Sequence, residues 1–152
     1  MRENGPGRLS PPGRRDEGDG AVGMAWCIEV EDVMRGVPAR AADARNFVHD
    51  LLHNAGIPVD DLALVDALLV TTELVTNAQR HGGGLIGFTA RIVEGYLELA
   101  VEDRSEDCPI TAAPRDPGAT GGYGWPLVQR LARTIDIALT ETGKTIRVTL
   151  PL

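Results

Sequence analysis

Residues 71–81 read TTELVTNAQRH, and they carry the strongest indication of how this chain folds and what it binds. Within them, Glu73, Asn77 and His81 are spaced four residues apart, so they form one ridge along an α-helix. Most of the neighbouring residues are Leu, Val or Ala, which predicts that this helix is largely buried. A buried carboxylate and a buried amide need polar partners, because burial without them is costly.

A divalent metal ion together with phosphate oxygens would satisfy both groups. The side-chain oxygen of Asn77 is a hard ligand for Mg2+, and the Glu73 carboxylate could orient or deprotonate an attacking hydroxyl. The alternative is that the ridge is the solvated side of an amphipathic helix. His81 stands next to Gly82 in the last turn, where a histidine often only caps carbonyl groups.

A glycine-rich segment, GATGGYG at residues 118–124, directly precedes a predicted helix. Glycines let successive backbone N–H groups turn towards an anion, and a helix N-terminus adds positive potential, so the segment suits a triphosphate. It is not a P-loop, because no Gly-Lys-Ser/Thr follows its last glycine. It does not open a dinucleotide-binding βαβ unit, since the preceding strand ends well upstream. A flexible surface loop is the alternative.

Residues 97–105 read LELAVEDRS and alternate between apolar and polar types, which predicts a strand that ends at Asp103. A carboxylate at that position could face a pocket. An aspartate at the end of a strand is more commonly a turn former, so both interpretations stand at this point.

The other patterns predict the element order β-α-α-β-β-α-β-β, with the helices on one face of a mixed or antiparallel sheet. The fold class is therefore an α+β two-layer sandwich. The predicted elements are a strand at Trp26–Val30, a helix from Pro38 to about Asn54, a helix from Asp60 to about His81, strands Leu85–Val93 and Tyr96–Asp103 joined by a tight turn at Glu94-Gly95, a helix over about Pro126–Arg133, and strands Ile135–Thr140 and Lys144–Leu150.

The composition fits one folded domain at residues 25–152 behind a tail. The chain has 152 residues, of which 43% are hydrophobic and only 4% aromatic, so the core is expected to be aliphatic. Residues 1–24 are rich in Pro, Gly and balanced charge, which predicts disorder. The net charge of -7 argues against general nucleic-acid binding.

Several classes of site and location are disfavoured. Cys27 and Cys108 match no disulfide framework or zinc spacing. His49 and His53, one helical turn apart, could bind zinc, but no third ligand is evident and a polar helix face is the simpler interpretation. No signal-peptide core or membrane-spanning run is present in the sequence, so we expect a cytoplasmic protein.

These segments, in this order, resemble the GHKL (Bergerat-fold) ATP-binding family over about residues 26–152. The resemblance rests on four boxes: Glu73-x-x-x-Asn77-x-x-x-His81 is similar to the N box, Asp103-x-Ser105 to the first glycine box, Gly122-x-Gly124 to the second, and Gly143-Lys144-Thr145 to the terminal box. Two departures stand out, since Ser105 replaces a glycine and Trp125-Pro126 replaces aliphatic residues.

The resemblance implies ATP and Mg2+ as ligands. It implies that Asn77 coordinates the magnesium ion and that Glu73 positions or activates the attacking hydroxyl. It also implies that Asp103 hydrogen-bonds the adenine amino group, with Thr145 in support. The remaining nucleotide-binding positions implied by the boxes are His81, Ser105, Gly121, Gly122 and Gly124, the glycines cradling the phosphates.

The small size and the phrase ELVTNAxxH at residues 73–81 resemble one branch of that family, the anti-sigma-factor serine kinases. This branch implies a sigma factor and a STAS-type antagonist as partners, no direct contact with nucleic acid or membrane, and homodimerisation through the first helix and strand. The alternative is a non-catalytic ATP-binding module that switches protein partners by lid conformation. A sensor histidine kinase fits poorly, because His49 and His53 lie within the domain rather than on an upstream dimerising helix pair.

Overall fold

The computed structural model describes residues 36–109 and 124–152. Its elements are α1 (Ala41–Asn54), α2 (Asp61–Arg80), β1 (Leu85–Val93), β2 (Tyr96–Asp103), α3 (Gly124–Leu131), β3 (Thr134–Thr140) and β4 (Gly143–Pro151). The strands form one sheet in the order β1-β2-β4-β3, and every neighbouring pair is antiparallel. The predicted α+β class is confirmed. The predicted tail at 1–24, the strand at Trp26–Val30 and residues 118–123 of the glycine-rich segment lie outside the described residues.

The core lies between the helices and one face of the sheet. Side chains alternate between the two faces of a strand, and the buried rows of the two central strands are Leu97, Leu99 and Val101 on β2 and Leu150, Val148 and Ile146 on β4. The next residue of each row is charged: Asp103 on β2 and Lys144 on β4, which pair in the register. These two charges therefore lie at one end of the apolar core.

Helix α2 is the longest helix and crosses the core as the sequence predicted. Asp60 caps its start, because its carboxylate accepts a hydrogen bond from the backbone N–H of Leu62 at 3.4 Å. His81 caps its end, where its backbone N–H donates to the carbonyl of Asn77 at 2.8 Å. None of the helices within the described ranges, α2 included, is long and apolar enough to cross a membrane.

The predicted start of α1 was wrong by three residues. Helix α1 begins at Ala41 rather than Pro38, because the backbone N–H of Arg40 donates to the Asp43 carboxylate at 3.0 Å and so fixes Arg40 as the N-cap. Helix α3 is described from Gly124, two residues before the predicted Pro126.

Helix α3 also ends two residues earlier than predicted, at Leu131. The backbone N–H of Arg133 donates to the carbonyl of Thr149 on β4 at 2.8 Å, which turns the chain into β3. The strands β1 and β2 have their predicted bounds. The tight turn between them is confirmed, with Glu94 at φ 51° and Gly95 at φ 80°.

Candidate functional site

The end of β2 carries a closed polar cluster around Asp103, whose side chain is fully buried. Its Oδ1 atom accepts hydrogen bonds from the ammonium of Lys144 at 2.8 Å and from the backbone N–H of Ser105 at 3.0 Å. The same ammonium donates to the carbonyl of Ser105 at 3.1 Å. Two donors, one from β4 and one from the segment just after β2, thus hold one carboxylate oxygen in place.

The second oxygen of the Asp103 carboxylate, Oδ2, is different. It is buried and has no hydrogen-bond partner among the residues that the structure describes. A buried acceptor without a donor is costly, and such an atom in a native structure calls for an explanation. A ligand N–H group would complete it, which fits the adenine amino group that the resemblance assigns to this position.

Gly82 lies directly against this carboxylate. A Cβ atom on Gly82 would stand 2.5 Å from Cγ and 2.6 Å from Oδ2 of Asp103, so no other residue fits without displacing the carboxylate. The contact is held by the backbone, because the N–H of Arg104 donates to the carbonyl of Gly82 at 2.8 Å. The sequence pattern predicts Gly82 only as the end of a helix, and nothing in its spacing indicates this contact.

The partner of Asp103 on β4 is Lys144. Thr145, to which the resemblance gives a supporting role, pairs with Glu102 in the ladder. Its side chain therefore lies on the face of the sheet opposite to that of Asp103 and Lys144. The structure thus does not bring Thr145 to the Asp103 carboxylate. The close approach of the strands depends on Gly143, at φ 149°, because a side chain there would collide with the carbonyl of Asp103.

At the other end of the site, helix α2 contacts the last residue of the glycine-rich segment. The carboxylate of Glu73 on α2 lies against Gly124, so closely that a Cβ on Gly124 would overlap it. Gly124 is the first described residue of α3. The structure therefore brings the N-box carboxylate to the last glycine of the glycine-rich segment.

The other predicted site residues take less central places. Asn77 is partly buried one turn further along α2 than Glu73. His81 is exposed at the C-cap of α2. Ser105 contributes through its backbone to the Asp103 cluster, and its hydroxyl accepts from the N–H of Asp107 at 3.0 Å. Gly121 and Gly122 lie outside the described residues.

The two histidines of α1 stack on each other, with ring centroids 6.2 Å apart. His49 also approaches the carboxylate of its exposed neighbour Asp50 at 3.4 Å. Within residues 36–109 and 124–152, no group of three or more His, Cys, Asp or Glu side chains is arranged to hold a metal ion. Magnesium needs no such group, because it keeps several waters and takes one or two protein oxygens besides phosphates.

Helix α2 connects two chemically distinct regions. At its C-terminal end, Gly82 borders a buried acceptor on Asp103, which fits the amino group of a base. Earlier on the helix, Glu73 offers a carboxylate next to Gly124, and Asn77, one turn after Glu73, offers a hard amide oxygen, which fits phosphates with Mg2+. The residues present therefore suit Mg-ATP in both regions.

Comparison with known proteins agrees with this geometry. A family model described as a histidine kinase-like ATPase domain matches residues 35–150, a range that includes every helix and strand described above except the last residue of β4. No curated protein matches the chain.

Proposed function

The chain belongs to the histidine kinase-like ATPase family, and from this premise we propose that it is an anti-sigma factor with serine kinase activity. In this proposal it binds ATP with Mg2+, sequesters a sigma factor, and phosphorylates a serine of a small STAS-type antagonist. Family membership supports the ATP-binding regulatory role. The kinase activity and the two protein partners are what the proposal adds to family membership.

The observation that supports catalysis is the contact between Glu73 and Gly124. It places a carboxylate at the first described residue of α3, next to the segment that would cradle the phosphates. Asn77, four residues later on α2, provides an oxygen for the magnesium ion that neutralises phosphate charge. Phosphoryl transfer depends mainly on such positioning and charge stabilisation.

The residues of the chain then have separate roles. ATP with Mg2+ supplies the transferable phosphoryl group. Glu73 orients the serine hydroxyl of the substrate and accepts its proton while the serine oxygen bonds to the γ-phosphorus and ADP leaves. Asp103 and Gly82 hold the base at the far end, so the phosphates lie in a fixed position relative to Glu73.

A role with protein partners is supported by the surface of α2. Leu62, Val65 and Leu69 are 65%, 51% and 41% exposed, and their spacing puts them on one face of the helix. Exposed apolar side chains in a row are typical of protein-binding surfaces. The net charge of -7 suits a basic patch on a sigma factor.

The test is phosphoryl transfer from radiolabelled Mg-ATP to the STAS-domain proteins encoded in the same genome. We expect phosphoserine on one of them, and a loss of at least about a hundredfold in rate for Glu73→Gln, because a general base contributes about that much. The matched control is Glu98→Gln, which removes a half-buried carboxylate paired with Arg91 on the sheet. Full activity of Glu73→Gln would refute the role of Glu73.

The alternative function is a non-catalytic module that binds ATP and changes protein partners without transferring phosphate. Trp125 motivates it, because this partly buried indole stands where the resemblance places an aliphatic residue and so departs from the family pattern. Clear ATP binding without transfer to any STAS-domain protein of the genome would favour this alternative over the kinase.

A further inference from the structure

We propose that Lys144 is a positioning residue that makes the site selective for a purine carrying an exocyclic amino group. This inference rests on the proposed nucleotide binding and concerns how the chain chooses its base. It starts from the asymmetry of the Asp103 carboxylate: Oδ1 is held by two donors, the Lys144 ammonium and the Ser105 N–H, while Oδ2 has none within the described part of the chain.

The asymmetry determines what a ligand meets. Both contacts at Oδ1 come from N–H groups, so that oxygen is already used, and Oδ2 is the acceptor left for a ligand donor. An amino group on the base satisfies Oδ2. A carbonyl group in the same place would set two acceptors against each other and leave both without a donor, which is costly in a buried site.

Lys144 also prevents the carboxylate from adapting to another base. Its ammonium bridges Oδ1 of Asp103 and the carbonyl of Ser105, and its side chain is 2% exposed. A carboxylate held in this way cannot rotate to meet a donor elsewhere on the base, such as the ring N1–H of a 6-oxo purine. Because Lys144 occupies Oδ1, the Asp103 carboxylate offers a ligand only Oδ2, and it offers that oxygen in a fixed direction.

The residue type fits this role. Lys144 is the only lysine in a chain with 14 arginines. An ammonium is a compact charge, whereas a guanidinium is a broad planar group that prefers two acceptors. The buried position next to Asp103 therefore takes the small cation, and the pair leaves no uncompensated charge in the core.

The substitution Asp103→Asn gives the sharpest consequence. With Lys144 and the Ser105 N–H both donating to the Oδ1 position, the introduced amide must place its oxygen there and its NH2 group at the Oδ2 position. The site then offers a donor where it previously offered an acceptor, so its preference should change from a 6-amino to a 6-oxo purine. Without Lys144, only the Ser105 N–H holds the amide, and both orientations become accessible.

The experiment is calorimetric titration of full-length protein with ATP and with inosine triphosphate, which carries a carbonyl in place of the amino group. The variants are Lys144→Met, Asp103→Asn and the double substitution. The control is Arg147→Met, which removes an exposed charge from the same strand. Thermal melting of each variant checks that it is folded. If Lys144→Met alone fails to fold, the double substitution carries the test, because it leaves no buried charge unpaired.

We expect the unaltered protein and Arg147→Met to prefer ATP by at least about tenfold, the effect of one hydrogen bond to a charged group. Lys144→Met should lower this ratio at least about fivefold by the same reasoning. Asp103→Asn should prefer inosine triphosphate, and the double substitution should bind both within about threefold. A ratio in folded Lys144→Met equal to that of the unaltered protein would overturn the role of Lys144, and so would a full inversion in the double substitution.

Failure of the inference can be separated from failure of the proposed function. Binding of ATP and inosine triphosphate with equal affinity by the unaltered protein would overturn the selectivity while leaving nucleotide binding intact. Absence of binding of either nucleotide would overturn both.

Discussion

Gly82 and Asp103 come from different elements, yet a Cβ atom on the glycine would stand 2.6 Å from Oδ2 of the aspartate. The glycine ends α2, the aspartate ends β2, and the hydrogen bond from Arg104 N–H to the Gly82 carbonyl fixes the two chain ends together. The buried acceptor on Asp103 is therefore positioned by backbone contacts and by the absence of a side chain at Gly82.

Gly82→Ala should consequently abolish ATP binding and reduce stability. The added methyl group meets the Asp103 carboxylate on one side and the carbonyl of Ala78, at 2.7 Å, on the other. Overpacking of this kind costs about 1–3 kcal/mol. Urea unfolding gives the stability change, and calorimetric titration gives the binding. The control is Gly36→Ala, where the new Cβ has nothing within 4 Å; if both variants behaved alike, the contact at Gly82 would be unimportant.

Lys144 should be protected from amine-reactive reagents in the folded protein. It is the only lysine, it is 2% exposed, and its ammonium donates to Asp103 and to Ser105. A reagent needs an accessible amine, and burial keeps this one out of reach. Mass spectrometry after brief labelling with an activated ester should find Lys144 unmodified in the native protein and modified in denaturant. Equal labelling of Lys144 under the two conditions would contradict the buried pair.

Glu94→Asn should stabilise the protein by about 0.5–1 kcal/mol. Glu94 has φ 51°, a left-handed conformation that glutamate adopts at a cost and asparagine adopts more readily, and Gly95 at φ 80° completes a turn that favours the pair Asn-Gly. Thermal melting measures the effect. The matched control is Glu141→Asn in the turn between β3 and β4, because Glu141 has no positive φ. A gain at Glu141 as large as that at Glu94 would show that the turn geometry is not the cause.

Much of the fold follows from local patterns in the sequence. Alternation between apolar and polar residues predicted the bounds of β1 and β2 correctly, because one face of these strands is buried. The capping residues Asp60 and His81 set the ends of α2. The N-terminal part of α1 was less predictable, since proline is tolerated at several positions near a helix start and does not mark the first residue.

The Asp103 cluster was only half predictable. Its aspartate was evident at the end of an alternating strand, but its partner depends on the register between β2 and β4, which pairs Asp103 with Lys144 and moves Thr145 to the other face. A one-residue change of register exchanges the two faces, and motif matching does not resolve it. The single lysine among 14 arginines was the available signal in the sequence. The contact with Gly82 is tertiary and left no local signal.

The most direct test of ATP binding at this site is calorimetric titration of the protein with ATP and ADP, with and without Mg2+, alongside Asn77→Ala. The predicted result is binding of ATP that Mg2+ strengthens and that Asn77→Ala loses, since the proposed function assigns the magnesium ligand on α2 to Asn77. If the unaltered protein bound no ATP at millimolar concentration with Mg2+ present, the central claim would be contradicted, and the buried acceptor on Asp103 would need another explanation.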